Sequence, residues 1–77
     1  MRIRVYPPAN ADPAALDERG YMELPEGARL RDLHRALGIP PLARPFLLCA
    51  VNYKISGPRR ALKDGDTVSY FAMVRGG

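Results

Sequence analysis

The sequence predicts an α+β domain built from one sheet with a single helix laid across it. Three observations predict this. Arg2-Ile3-Arg4-Val5-Tyr6 alternates polar and apolar residues with the period of a half-buried strand. Leu30, Leu33 and Leu37 recur at helical spacing, and no other segment does this. Phe46 to Val51 is a short unbroken apolar run, and a second alternating strand, Thr67 to Met73, follows near the end.

Taken in order, the first strand points Ile3 and Val5 one way and Arg2, Arg4 and Tyr6 the other. Pro7-Pro8 ends it, because proline cannot supply ladder N–H groups. In the loop from Pro7 to Gly20, Asp12-Pro13 has the chemistry of an N-cap and first residue of a short helical turn. A second strand, Tyr21 to Leu24, runs into the turn Pro25-Glu26-Gly27.

The amphipathic helix is expected over Ala28 to Leu37, with Gly38 as the residue that closes it and Pro40-Pro41 preventing its resumption. Asn52-Tyr53 turns the apolar strand, and Lys54-Ile55 can form a brief edge strand. Leu62 is expected to plug the core ahead of the tight turn at Lys63-Asp64-Gly65-Asp66. In the last strand Val68 and Tyr70 share one face, and Ser69, Phe71 and Met73 the other. Residues 1–73 form the domain, and Val74-Arg75-Gly76-Gly77 is left as a flexible tail.

Composition narrows the function classes. A chain of 77 residues supports one core but no pocket enclosing a substrate, so any reactive group belongs at its surface or its end. With 47% hydrophobic and 26% charged residues, folding is expected. The single cysteine, Cys49, excludes an internal disulfide, and with one histidine no zinc framework can be assembled. Nothing resembles the apolar core of a secretory signal or a membrane-spanning run, so a cytoplasmic protein without a membrane partner is expected. The net charge of +4 permits an acidic partner. Its basic residues come in ones and twos, however, so nucleic acid is not expected.

The end of the chain carries the chemistry. Two terminal glycines would occur by chance in about 0.5% of chains at average glycine usage. Without Cβ atoms, Gly76 and Gly77 can thread a narrow channel and present the terminal carboxylate inside another protein. That carboxylate is ionised at neutral pH and resists nucleophiles until ATP converts it to an acyl-adenylate. The bland alternative is a frayed terminus.

Several segments together resemble the MoaD/ThiS sulfur carriers, the ubiquitin-like family that includes the small subunit of molybdopterin synthase. They are Ala50-Val51-Asn52, Leu62-Lys63-Asp64-Gly65-Asp66-Thr67-Val68, Phe71, the Val74-Arg75-Gly76-Gly77 end, and Leu24 to Leu33 with Leu37-Gly38. The resemblance implies a β-grasp fold with a mixed four- or five-stranded sheet. It also implies that Gly77 is adenylated by a ubiquitin-activating-type enzyme and sulfurated to a thiocarboxylate by a sulfurtransferase or cysteine desulfurase. Sulfur would then pass to the molybdopterin synthase large subunit or, on a second branch, to thiazole synthase.

On the same likeness the chain is a co-substrate rather than a catalyst. It binds no cofactor or metal of its own, and ATP is used by the partner. Val74, Arg75 and Gly76 would thread the partner's channel, and Phe71 with Met73 would dock it. Two features depart from the pattern: the proline-rich first loop, and Arg75, which is more like ubiquitin. A tRNA-thiolating carrier or a lysine-joined modifier stays open.

Other residues have plainer expectations. His34, at the border of the helix stripe, is expected to be solvated. Cys49 is expected to act as a small buried hydrophobe, with a persulfide role as the alternative. Phe71 and Met73 are either exposed beside the tail or covered by the first loop. Arg59, Arg60 and Lys63 either steer an acidic partner or form a solvated turn. Asp64 and Asp66 lack the rest of a calcium loop, which leaves turn chemistry.

Overall fold

A computed structural model describes residues 1–8 and 11–72. Its five strands are β1 (Arg2–Tyr6), β2 (Tyr21–Glu23), β3 (Leu47–Val51), β4 (Lys54–Ile55) and β5 (Thr67–Ala72), with one helix, α1 (Leu30–Ala36). Short 3-10 turns cover Pro13–Ala15 and Arg44–Phe46. The sheet order is β2-β1-β5-β3-β4. The two central strands β1 and β5 pair in parallel and every other pair is antiparallel, which makes the sheet mixed. Met73, Val74, Arg75, Gly76 and Gly77 lie outside the described residues.

The alternation in β1 works as the sequence implies. Ile3 and Val5 are buried, while Arg2 and Tyr6 are exposed on the other face. Their register with Met22 and Val68 brings these apolar side chains to one face of the sheet, against which Leu30, Leu33 and Leu37 pack. Leu62 is buried in the same cluster. Full burial of three leucines contributes about 1.5–3 kcal/mol each, so the short helix is held by tertiary packing rather than by its own propensity.

The helix is shorter than its apolar spacing suggests, starting at Leu30 instead of Ala28. Ala28 and Arg29 are drawn into pairing with the segment before β5: Arg29 bridges Ala61, and the Leu62 N–H donates to the Ala28 carbonyl at 2.9 Å. The Asp32 carboxylate then accepts the Arg29 N–H at 2.8 Å, satisfying a donor at the helix start. At the other end Gly38 has φ of +72°, the Gly38 N–H reaches Arg35 O at 3.1 Å, and the Ile39 N–H reaches His34 O at 3.1 Å. These are the two bonds of a Schellman motif, and buried Ile39 supplies its hydrophobic contact.

The first loop folds toward the helix end. Its Asp12 carboxylate accepts the Ala14 N–H at 3.0 Å, and its own N–H donates to Leu37 O at 2.8 Å. Ala11, Ala15 and Leu16 close the core there.

β3 and β4 are joined by Asn52 and Tyr53, at φ of +51° and +69°, the geometry of a type I′ turn. Asn52 is suited to it and also ties the hairpin to β5, donating to Asp66 Oδ1 at 2.9 Å and accepting the Thr67 N–H at 3.0 Å. Tyr53 is not suited to it, because its Cβ crowds the carbonyl in the left-handed region. Since Tyr53 is exposed, little packing is lost on its removal. Tyr53→Gly is expected to stabilise the fold by about 0.5–1 kcal/mol, read as a rise of several degrees in the melting midpoint.

Candidate functional site

β5 delivers the chain to its end, so its two faces define what surrounds the tail. The open face, away from α1, is set by register. Leu48 pairs with Phe71, Ala50 with Ser69 and with Ile55, and Tyr6 with Ser69. Paired residues point to the same side. Phe71 is 52% exposed, with Leu48, Tyr6 and Ile55 also exposed around the small buried Ala50 and Ser69. A contiguous aromatic and aliphatic patch thus lies immediately before the tail.

The first loop, packed at the helix end, leaves Phe71 uncovered. Met73, the other expected docking residue, lies outside the described residues. The sequence does not single out Leu48, because its run is apolar throughout; only pairing with Phe71 reveals which face it takes. The β1–β2 half of the same face is basic and aromatic, with the Arg2 guanidinium 4.2 Å from the Tyr21 ring centre and Arg4 5.2 Å from that of Tyr6.

On the helix side the outcome for His34 corrects the expectation. It is buried, not solvated. Within the stripe Leu30, Leu33, His34 and Leu37 it occupies the fourth position after Leu30, which a helix turns inward just as it does Leu33. That spacing, together with a hydroxyl on the facing strand, was the available signal.

His34 Nδ1 lies 2.6 Å from the Tyr70 hydroxyl, and Nε2 lies 4.0 Å from Cys49 Sγ. Burial pushes the Tyr70 phenol far up, so it keeps its proton and donates it to Nδ1. The tautomer assigned from this network carries its proton on Nε2, facing the sulfur. Burial likewise pushes the Cys49 thiol up to about 11, so it stays protonated near neutrality and behaves as a core residue rather than a nucleophile.

Burial lowers the His34 pKa, and the nearby Arg44 charge adds to this. Below the ordinary value of 6.5 the folded state therefore binds fewer protons than the unfolded chain. Stability from the neutral imidazole is present above pH 6.5 and is lost as pH falls from there through the depressed folded value. His34 is the sole histidine, so the urea midpoint should fall between pH 7 and pH 5 in the wild type, and this fall should shrink in His34→Gln.

The remaining candidates resolve into structure. Asp66 Oδ2 accepts the Lys63 N–H at 2.8 Å, and Asp64 Oδ1 accepts the Arg2 N–H at 2.8 Å, so both carboxylates brace the turn. Lys63, Arg59 and Arg60 are exposed. The Arg29 guanidinium holds the Arg59 carbonyl at 2.8 Å. Among the described residues no group of three His, Cys, Asp or Glu is placed to hold a metal, and no helix is long and apolar enough to cross a membrane.

The family model described as the ThiS family matches residues 10–77. The chain belongs to the ThiS family. The crystal structure of SAMP1 from Haloferax volcanii superposes with a TM-score of 0.62 at 21% identity, covering 100% of this chain and 98% of that one. The fold is therefore the ubiquitin-like β-grasp, as the resemblance implied. No curated protein sequence matches. ThiS-family membership places the chain among small ubiquitin-like sulfur carriers, which generally act with an activating enzyme and a sulfur acceptor and are generally not themselves catalysts.

Proposed function

We propose that this ThiS-family chain is a sulfur carrier whose working group is the carboxylate of Gly77. What supports this is a family match that runs through residue 77, over the two glycines that follow β5. An activating enzyme joins the carboxylate to AMP from ATP with loss of pyrophosphate. A persulfide sulfur then attacks the carbonyl and expels AMP, and thiol reduction of the resulting acyl disulfide leaves the thiocarboxylate. This chain contributes the carboxylate, the Val74-Arg75-Gly76 approach to it, and a docking patch centred on Phe71 that Met73 would extend.

The proposed acceptor is the pterin precursor held by the molybdopterin synthase large subunit. Thiazole synthase is the second reading, favoured by the ThiS-family match itself. ATP belongs to the activating enzyme, and no cofactor is assigned to this chain.

The test is intact-mass measurement after incubation with activating enzyme, ATP and a sulfur donor. The expected gain is about 16 Da, sulfur replacing one oxygen on Gly77, whose lack of a Cβ suits entry into the enzyme. Presenting the product to each acceptor enzyme separates the branches. A denaturing gel that shows ladders of lysine-linked products would instead favour a modifier.

A further inference from the structure

Adjoining the Phe71 patch, with which it shares Leu48 and Ile55, a groove of about 500 Å³ runs between α1 and the β3–β4 hairpin. Leu47, Cys49, Pro45 and Pro58 form its apolar walls, and Arg31 and Arg44 are its charged members. It continues past Ile55, Ser56 and Gly57 into a second depression of about 450 Å³ beside Arg59 and Arg60. Among the described residues, four arginines therefore line the combined channel, and no Asp or Glu does. The nearest acid in sequence to Arg31, Asp32, is already committed to the Arg29 N–H.

Two observations say what this channel lacks. Arg44 Nε is buried and has no hydrogen-bond partner among the described residues, while one terminal nitrogen reaches only Ile39 O, at 3.3 Å. A buried guanidinium N–H without an acceptor is costly, and a carboxylate bonded to the terminal nitrogens of Arg44 would offset that cost. At the rim, Ile55 sits on the sheet's edge strand, one residue before Ser56, whose N–H is taken by Cys49 O at 2.9 Å. Alternation along the strand directs the Ile55 N–H and C=O away from β3, where an extended chain can meet them.

We propose that this channel binds an extended acidic segment of a partner protein, one apolar side chain seated between α1 and the hairpin and flanking carboxylates on Arg31 and Arg44. The elongated, open shape and the row of guanidinium groups suit a peptide better than an enclosed metabolite. The proposal does not depend on the tail chemistry.

The test uses the full chain, labelled with nitrogen-15, titrated at about 0.15 M salt. The probes are four capped pentapeptides, Asp-Glu-X-Asp-Glu with X as Leu, Ile, Val or Phe, and their lysine-for-acid counterparts. At least one acidic peptide should shift the amides of Arg31, His34, Ser56 and Gly57 saturably, with Kd below about 1 mM, while the lysine versions do not. Arg44→Gln and, separately, the surface change Arg31→Glu should each weaken binding about tenfold, as loss of a charge-assisted bond implies. Removing Gly76 and Gly77 should leave the affinity unchanged.

The proposal is overturned by equal shifts from the lysine peptides, by the same shifts with inorganic phosphate alone, or by shifts confined to Tyr6, Ser69 and Phe71. Silence from all four acidic peptides overturns it as well.

Discussion

Deleting Gly76 and Gly77 is expected to abolish the mass gain outright while leaving the thermal midpoint within about 4 °C of wild type, since surface changes away from the core move stability by at most about 0.5 kcal/mol. The loss should be complete because the new terminal carboxylate, on Arg75, would have to reach the adenylating centre two residues short and behind a bulky side chain. The stability should persist because, among the described residues, every core residue lies at or before Tyr70. Intact mass and a melting curve on the same sample check both halves. A truncated chain that still gains sulfur would rule out a carrier working from its terminal carboxylate, and one that unfolds would show that the glycines contribute to the fold.

Leu33→Ala is expected to destabilise the domain by about 2–5 kcal/mol, the usual result of emptying a leucine-sized space in a packed core. Leu33 is fully buried between α1 and the sheet, with Leu30, Leu37, Val51 and Val68 also fully buried in the same cluster. A chain this short has about 4–12 kcal/mol of stability in total, so the variant should be partly unfolded or melt far lower. Leu42→Ala is the control. Leu42 is 87% exposed, and its loss should move the urea midpoint by no more than the equivalent of about 0.5 kcal/mol. Similar midpoints for the two variants would show that the helix does not carry the core.

Much of this architecture was legible because its signals are local. The period-two pattern of β1, the three leucines of α1, Gly38 as a left-handed stop, and Asn52 at a turn each follow from the residue's own chemistry. The sequence places the helix start two residues early because the competing pull on Arg29 and Ala28 comes from Ala61 and Leu62, 32 and 34 positions away. His34 was misplaced for a related reason. A polar residue at the edge of a stripe goes inward only if something inside can satisfy it, and the Tyr70 hydroxyl is 36 positions distant.

By itself, then, the sequence determined the class of the fold, the order of its elements, and the bare glycine end that makes a carrier conceivable. These depend on backbone preference and hydrophobic period, which act within a few residues. Only the tertiary structure decided which apolar residues stay outside. Leu48 and Phe71 share the open face because β3 and β5 pair in one register, and a shift of one residue would have buried them both. It also decided that Arg31 and Arg44, which belong to different elements, line one groove, since charge far apart along the chain becomes a surface only when folding brings it together.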